Sequence, residues 1–277
     1  MNIIKKLVIL AALAVVALPV FAAGSPDAGA KLAQVKKAGK LVMGTSADYP
    51  PYEFHHLKDG KDSIVGFDVA IAREIAADLG VKLEIKDMQF DGLLAALQAG
   101  TIDIVIAGMT PTEERKQSVD FSTTYYYAIH GVMVRGEDKN KFADVASLKG
   151  ARLSAQKGTI QVDIAKKQIL GMTDEEAEKD TNAVKELGTI KNLVLDLKNG
   201  KVDAIVAELP VAMAYVGKNA DLAIAAPTFQ DDTGGSAVAV KKGNENLVTA
   251  INGSLARLME AKKIEQFVAD ANEMVEN

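Results

Sequence analysis

Cysteine is absent from the 277 residues, which excludes disulfides, thiol nucleophiles, cysteine zinc sites and a lipid-modified cysteine. Histidine occurs only at His55, His56 and His130. No two of these have ligand spacing on a helix face, so no metal is assigned, and a Ser/His/Asp hydrolase would have to use one of the three. A basic excess is also missing. The chain carries 32 Lys and Arg against 37 Asp and Glu, a net charge of −5, and so has no surplus to neutralise a phosphate backbone. No nucleic-acid partner is expected. Neither Gly-x-Gly-x-x-Gly nor Gly-x-x-x-x-Gly-Lys-Ser/Thr occurs, and no cofactor is expected.

What is present is an ordinary globular composition, 48% apolar and 25% charged, long enough for two lobes. Met1–Ala22 reads as an export signal: Lys5 and Lys6, an apolar run Leu7–Leu18, then Pro19-Val20-Phe21-Ala22. Cleavage is expected after Ala22, with Ala23 next; the other reading is an uncleaved anchor. Cleavage removes two lysines and takes the net charge to −7. No later stretch is apolar and long enough to span a bilayer. The expected location is the periplasm, without a lipid anchor. Residues 23–36 read as a flexible leader, rich in Gly, Pro and Asp at its start.

The body alternates strand and helix. Leu41–Thr45 reads as a buried strand, Gly66-Phe67-Asp68 as the opening of a helix closed by Gly80, and Val81–Ile85 as a strand. Phe90–Ala99 reads as a helix and Ile102–Ala107 as a strand, the alternation of a parallel sheet covered by helices. Later segments predict strands at Ile129–Val134, Arg152–Ala155, Val202–Ala207, Leu222–Ala225 and Ser236–Val240. Helices are predicted from Gly158 to Leu170, at Leu187–Asn199 and Leu209–Val216, and from Asn244 onward. A weak internal parallel links Gly100-Thr101-Ile102-Asp103-Ile104 with Gly200-Lys201-Val202-Asp203-Ala204. The polar segments Ser46–Tyr49, Gly108–Arg115, Gln156–Gln161 and Glu208 all follow strands, where open α/β sheets bind ligands. Two lobes presenting these ends to one another would form a cleft between them.

Candidate binding residues follow from chemistry. Arg115, in Thr110-Pro111-Thr112-Glu113-Glu114-Arg115, suits a bidentate grip on a carboxylate; a surface ion pair with Glu113 or Asp120 is the other reading, and spacing does not choose. Gly158-Thr159 opens a helix and reads as an anion site or as simple capping. Glu208 suits an ammonium group or general acid, or is a helix N-terminal acid favoured by the dipole. Tyr49, Tyr52, Phe54 and Phe67 are candidate stacking rings, with Phe54 expected in the core. His55 and His56 are expected on solvent.

The residues Gly44-Thr45-Ser46-Ala47-Asp48-Tyr49-Pro50-Pro51-Tyr52-Glu53-Phe54, Val65–Val69, Ile106–Arg115, Val119-Asp120-Phe121-Ser122, Gly158-Thr159 and Val202–Val206 resemble the polar-amino-acid-binding proteins of ABC importers. That is family 3 of the solute-binding proteins, with the glutamine, histidine and lysine/arginine/ornithine binders. The resemblance implies an α/β fold of two lobes, the type II periplasmic binding protein fold, each lobe a mixed sheet flanked by helices. Lobe one would span 37–126 plus 235–277 and lobe two 130–231, with a two-strand hinge near 125–129 and 231–235. It implies a monomer that is no enzyme, holding a polar L-amino acid and delivering it to an inner-membrane ABC permease. Arginine or lysine is favoured and glutamine next; a prephenate or arogenate dehydratase on the same fold is the alternative.

Carried over, the resemblance gives Arg115 the α-carboxylate, with help from Gly108, Thr110, Thr159 and Ile160. Glu208 takes the α-ammonium, and Tyr49 and Phe67 sandwich the side chain. Gln156 and Gln161 line the side-chain pocket. Ser46 stands where basic-amino-acid binders carry an aspartate, a departure that leaves the roles of Asp48 and Glu53 open.

Overall fold

The computed structural model describes residues 30–230 and 234–276. The expected signal Met1–Ala22 lies outside the described residues. Helix Lys31–Ala38 leads into β1 (Lys40–Thr45), β2 (Asp48–Tyr49), β3 (Glu53–Lys58) and β4 (Lys61–Val65). Helix Phe67–Leu79 precedes β5 (Lys82–Asp87), and helix Leu93–Gln98 precedes β6 (Ile104–Val105). β7 (Val119–Tyr126) runs across to β8 (His130–Arg135), followed by β9 (Leu153–Gln156), β10 (Val184–Leu187), β11 (Ala204–Glu208) and β12 (Leu222–Ile224). β13 (Ser236–Lys241) returns, and helices Glu245–Glu260 and Lys263–Glu276 close the chain.

The strands form two five-stranded mixed sheets, ordered β5-β1-β6-β13-β7 and β10-β9-β11-β8-β12, and a three-stranded antiparallel one, β2-β3-β4. In each large sheet four strands run one way and one, β13 or β8, runs against them. Apolar side chains cover both faces. Leu93, Leu97 and Ile102 pack on one side of the first sheet, and Ile71, Ile75 and Leu255 on the other. The second sheet holds Val132, Leu153 and Val206 against Ala165 and Ile169 on one face.

The two crossings between the sheets run side by side. Ser236 pairs with Tyr126, His130 bridges Phe229, and the Thr124 hydroxyl donates to the Gly234 carbonyl at 2.7 Å. Gly235 is required there: its φ is 72°, and a Cβ would lie 2.4 Å from the Tyr126 oxygen.

Several elements differ from the expectation. Residues 31–36, read as leader, belong to a helix that buries Val35 and ties Lys31 Nζ to Asp103 at 2.8 Å. The β3–β4 hairpin and β10 have too little apolar alternation to show in the sequence, and β10 occupies Val184–Leu187 where a helix was expected to begin. The helix opening at Gly158-Thr159 has α geometry only over Ile160–Asp163 and continues as a π-helix over Ile164–Ile169.

Candidate functional site

The strand ends of both large sheets meet across a cleft. Arg115 stands in helix Glu113–Ser118, whose N-cap Thr112 accepts the Arg115 N–H at 3.2 Å. That cap fixes the backbone so that the guanidinium points into the cleft. Its Nη1 donates to the Thr110 carbonyl at 2.7 Å and its Nη2 to the Gly158 carbonyl of the facing lobe at 2.9 Å. Glu113 pairs with Lys116 and Asp120 with Lys242. Arg115 therefore bridges the lobes. It lines one small cavity with Gly108, Thr110, Gln156, Thr159, Ile160, Gln161 and Tyr49.

Two of the expected site residues differ from their expected places. The Thr159 hydroxyl turns back to donate to the Gln156 carbonyl at 2.7 Å and caps no helix. Phe67 is not in the cavity. It is wholly buried in the core, its ring 4.3 Å from that of Tyr52 and 4.9 Å from that of Tyr126. The reason is Gly66, whose φ of 124° and open α-carbon let the helix start press on Tyr52, where a Cβ would meet the backbone oxygen at 2.1 Å. That approach turns Phe67 inward. The second aromatic of the cavity is Phe90, which faces the Arg115 guanidinium with its ring centroid 5.4 Å away. Phe90 heads a 3-10 turn just after β5, a place where the sequence predicts the start of a helix.

The far wall is a chain of buried polar groups. Glu208, at the end of β11, accepts from the Tyr52 hydroxyl, and its N–H approaches the Tyr49 hydroxyl at 3.4 Å. No side-chain cap bond ties Glu208 to its helix. Gln161 Nε2 lies 3.4 Å from the Tyr49 hydroxyl and 3.2 Å from His130 Nδ1, which accepts. Gln156 Nε2 donates to the Gly188 carbonyl at 3.1 Å and stands 3.5 Å from both Ser46 and Asp48. Ser46 thus joins the wall through Gln156 and through Asp48, 3.3 Å away.

The open question about Asp48 and Glu53 has a structural answer. Asp48 crosses the cleft and accepts the Ile190 N–H at 2.6 Å, at the start of helix Ile190–Lys198 in lobe two. Burial pushes its carboxyl up, and the Ile190 N–H opposes this. Glu53 lies wholly buried behind the wall, where burial and the neighbouring Asp68 hold its carboxyl well above the usual range. Asp68, also buried, accepts the Gly108 N–H at 2.8 Å and the Tyr125 hydroxyl at 2.9 Å. Burial raises Asp68 to about 6. His55, expected on solvent, is exposed and lies between Asp62 and Asp87 at 2.8 and 3.2 Å.

One arginine, two rings, paired glutamines and buried acids thus meet between two α/β lobes, the arrangement of a class of proteins that bind small molecules between lobes. Residues 41–270 match the bacterial extracellular solute-binding proteins, family 3, and the chain belongs to that family. It is 35% identical to the arginine-binding extracellular protein ArtP of Bacillus subtilis, over 95% of this chain and 96% of that one. It is 32% identical to the L-cystine-binding protein TcyJ of Escherichia coli, over 82% and 80%. Among solved structures it is similar to the amino acid ABC transporter substrate-binding protein AbpA of Streptococcus pneumoniae bound to L-arginine. That likeness has 36% identity and a TM-score of 0.81, over 88% of this chain and 99% of that one.

Proposed function

We propose that this protein captures L-arginine in the interlobe cleft. It is an amino-acid-binding protein of an ABC transporter. In this reading Arg115 grips the α-carboxylate, with Gly108, Thr110, Thr159 and Ile160 beside it. Glu208 takes the α-ammonium, and Tyr49 and Phe90 flank the side chain. Gln156, Gln161 and Ser46 close the pocket around it. Lobe one spans 37–126 with 235–277 and lobe two 130–231, with a hinge near 125–129 and 231–235, of which 231–233 lie outside the described residues. The mature protein is an unanchored periplasmic monomer that hands its ligand to an inner-membrane permease.

The observation that carries the ligand is the charge balance of the cleft. Asp48 and Glu208 are buried at its walls with a single guanidinium, that of Arg115, among the lining residues. A zwitterion with a neutral side chain adds no net charge. A cationic side chain offsets the acids, and burial of charges is tolerable only when they are paired. Between the two cations, paired aromatic walls favour arginine, whose planar guanidinium stacks on ring faces where an ammonium does not. The arginine named for ArtP and AbpA supports the same choice.

Thermal shift of the unfolded and refolded protein with L-arginine, L-lysine, L-ornithine, L-glutamine, L-histidine and L-cystine tests it. A ligand at one hundred times its Kd adds about 2.7 kcal/mol, a Tm rise of roughly 5–10 °C for a chain of this size. The largest rise is expected with L-arginine. A rise with glutamine or cystine alone would reject the reading.

A further inference from the structure

Behind the Gly108 wall lies a pair of acids that ligand binding does not use. Glu53 and Asp68 are each 0% exposed. Backbone geometry forces them together: the Asp68 N–H donates to the Tyr52 carbonyl at 3.0 Å, next to Glu53 in the chain. Among the described residues, no N–H or O–H reaches either Glu53 oxygen or Asp68 Oδ1. What faces Glu53 is the carboxyl of Asp68 itself, at hydrogen-bonding range. The other Asp68 oxygen is fully engaged, by the Gly108 N–H at 2.8 Å and the Tyr125 hydroxyl at 2.9 Å. The other charged groups bearing on Glu53 are Asp48 and Glu208, both acids. The Tyr125 hydroxyl feels both acids and the Tyr49 hydroxyl feels Glu53.

We propose that Glu53 and Asp68 share one proton, carried by Glu53, and that this proton makes Asp68 the positioning residue for the Gly108 amide at the cleft. Two ionised carboxylates in contact, buried among further acids, repel without compensation. Two neutral acids would weaken the acceptor that Gly108 and Tyr125 use. One proton on Glu53 solves both: the Glu53 O–H donates to Asp68 Oδ1, and the Asp68 anion accepts three donors. The proton sits on Glu53 because Asp68 has the donors that stabilise an anion and Glu53 has none. Asp68 then pins the Gly108 backbone from behind. The inference that this pin serves the ligand carboxylate rests on the proposed arginine reading; the shared proton does not.

Infrared difference spectra and stability profiles test the proton without any ligand. At neutral pH the wild-type protein should show the C=O stretch of a protonated carboxylic acid, and Glu53→Gln, which keeps a donor and the shape, should lack it. Because the folded-state value of Glu53 is raised, wild-type stability should fall relative to Glu53→Gln as pH rises above the ordinary carboxyl range. The decline should be about tenfold in the folding equilibrium per pH unit, ending once Glu53 ionises in the folded state. For L-arginine, Glu53→Gln should stay within about threefold of wild type, while Glu53→Leu, which has no donor, should lose roughly tenfold or more. If the Leu variant does not fold, the band and the pH profile of Glu53→Gln decide. An absent acid band, a band that survives Glu53→Gln, or a Glu53→Gln protein with an unchanged pH profile overturns the proposal. Wild-type protein that shows the band but ignores L-arginine overturns the ligand and leaves the proton standing.

Discussion

Gly100 and Gly200 occupy the same place in two copies of one device. Each ends a helix with a positive φ, 73° and 68°, and an aspartate follows three residues on. In lobe one the Asp103 N–H donates to the Val42 carbonyl at 2.7 Å, and Asp103 accepts the Val42 N–H at 2.8 Å. In lobe two the Asp203 N–H donates to the Arg152 carbonyl at 2.9 Å, and Asp203 accepts the Arg152 N–H at 3.1 Å. The aspartate locks the new strand onto its parallel neighbour in both, β1 in one sheet and the start of β9 in the other. The sheets also share their order: three parallel strands, an antiparallel strand beside the hinge, then a final one. The furnishing differs. Lobe one supplies Arg115, Tyr49 and Phe90, a cation with rigid rings. Lobe two supplies Gln156, Gln161, Thr159 and the Gly158 carbonyl, neutral groups that turn toward what lobe one holds. Glu208 is its one buried acid at the wall. On the proposed reading, the same scaffold thus makes a grip on one side and a cover on the other.

The sharpest way to break that contrast is to remove one residue from each side. Arg115→Ala should weaken L-arginine binding by roughly 100-fold or more, because a buried carboxylate loses its bidentate partner. Gln161→Ala should cost roughly tenfold or less, since it removes neutral hydrogen bonds. Isothermal titration measures both. Equal losses would mean that lobe two grips as hard as lobe one.

The asymmetry was only partly legible in the sequence. The strand–helix alternation, the glycine stops and the Gly-x-x-Asp parallel are local signals, and each marks a real element. Arg115 and the strand-end loops could be placed because the rule that ligands sit at carboxyl ends needs no tertiary detail. Phe67 could not. Its neighbours in the chain look like a ligand loop, and only the close approach of Gly66 to Tyr52 shows that its ring turns into the core. Phe90 was hidden for the converse reason, since an aromatic at a helix start reads as packing until the opposite lobe is in view. The Asp48–Ile190 and Glu53–Asp68 contacts join residues 142 and 15 positions apart, and pairing at such separations leaves no periodic trace.

The shared aspartates give the second contrast. Asp203 takes Arg152 at 2.7 Å and Arg135 at 2.9 Å, whereas among the described residues Asp103 takes one cation, Lys31, at 2.8 Å. Asp203→Asn should therefore destabilise by about 2 kcal/mol and Asp103→Asn by about 1 kcal/mol, read from urea unfolding. The hydrogen bond from Arg152, then that from Arg135, holds the Asp203 carboxyl well below its usual range. Its stabilising contribution is present above the unfolded value near ~4 and is lost as pH falls toward the depressed folded value. Asp203→Asn should accordingly flatten the acid limb of the stability profile. An acid limb identical to wild type would show that the network does not couple to folding.

The smallest expected effects separate core from cleft among the aromatics of lobe one. Phe67 has no exposed surface and packs on Tyr52 and Tyr126, so Phe67→Leu should cost about 1 kcal/mol of stability through imperfect refilling of its space. That ring lies outside the cavity lining, and affinity should stay within the change that a slightly less stable protein allows. Phe90 stands over Arg115 in the cavity, and Phe90→Leu keeps apolar bulk but removes the π face. It should weaken L-arginine by about fivefold, the value of a partly exposed cation–π contact, and should affect L-glutamine less, because an amide carries no charge to the ring. Unfolding and titration on the same two proteins give a crossed pattern if the assignment is right. Parallel losses in both quantities for both variants would mean that lobe one has no separate core and binding wall, and the contrast between a grip and a cover would then lose its structural basis.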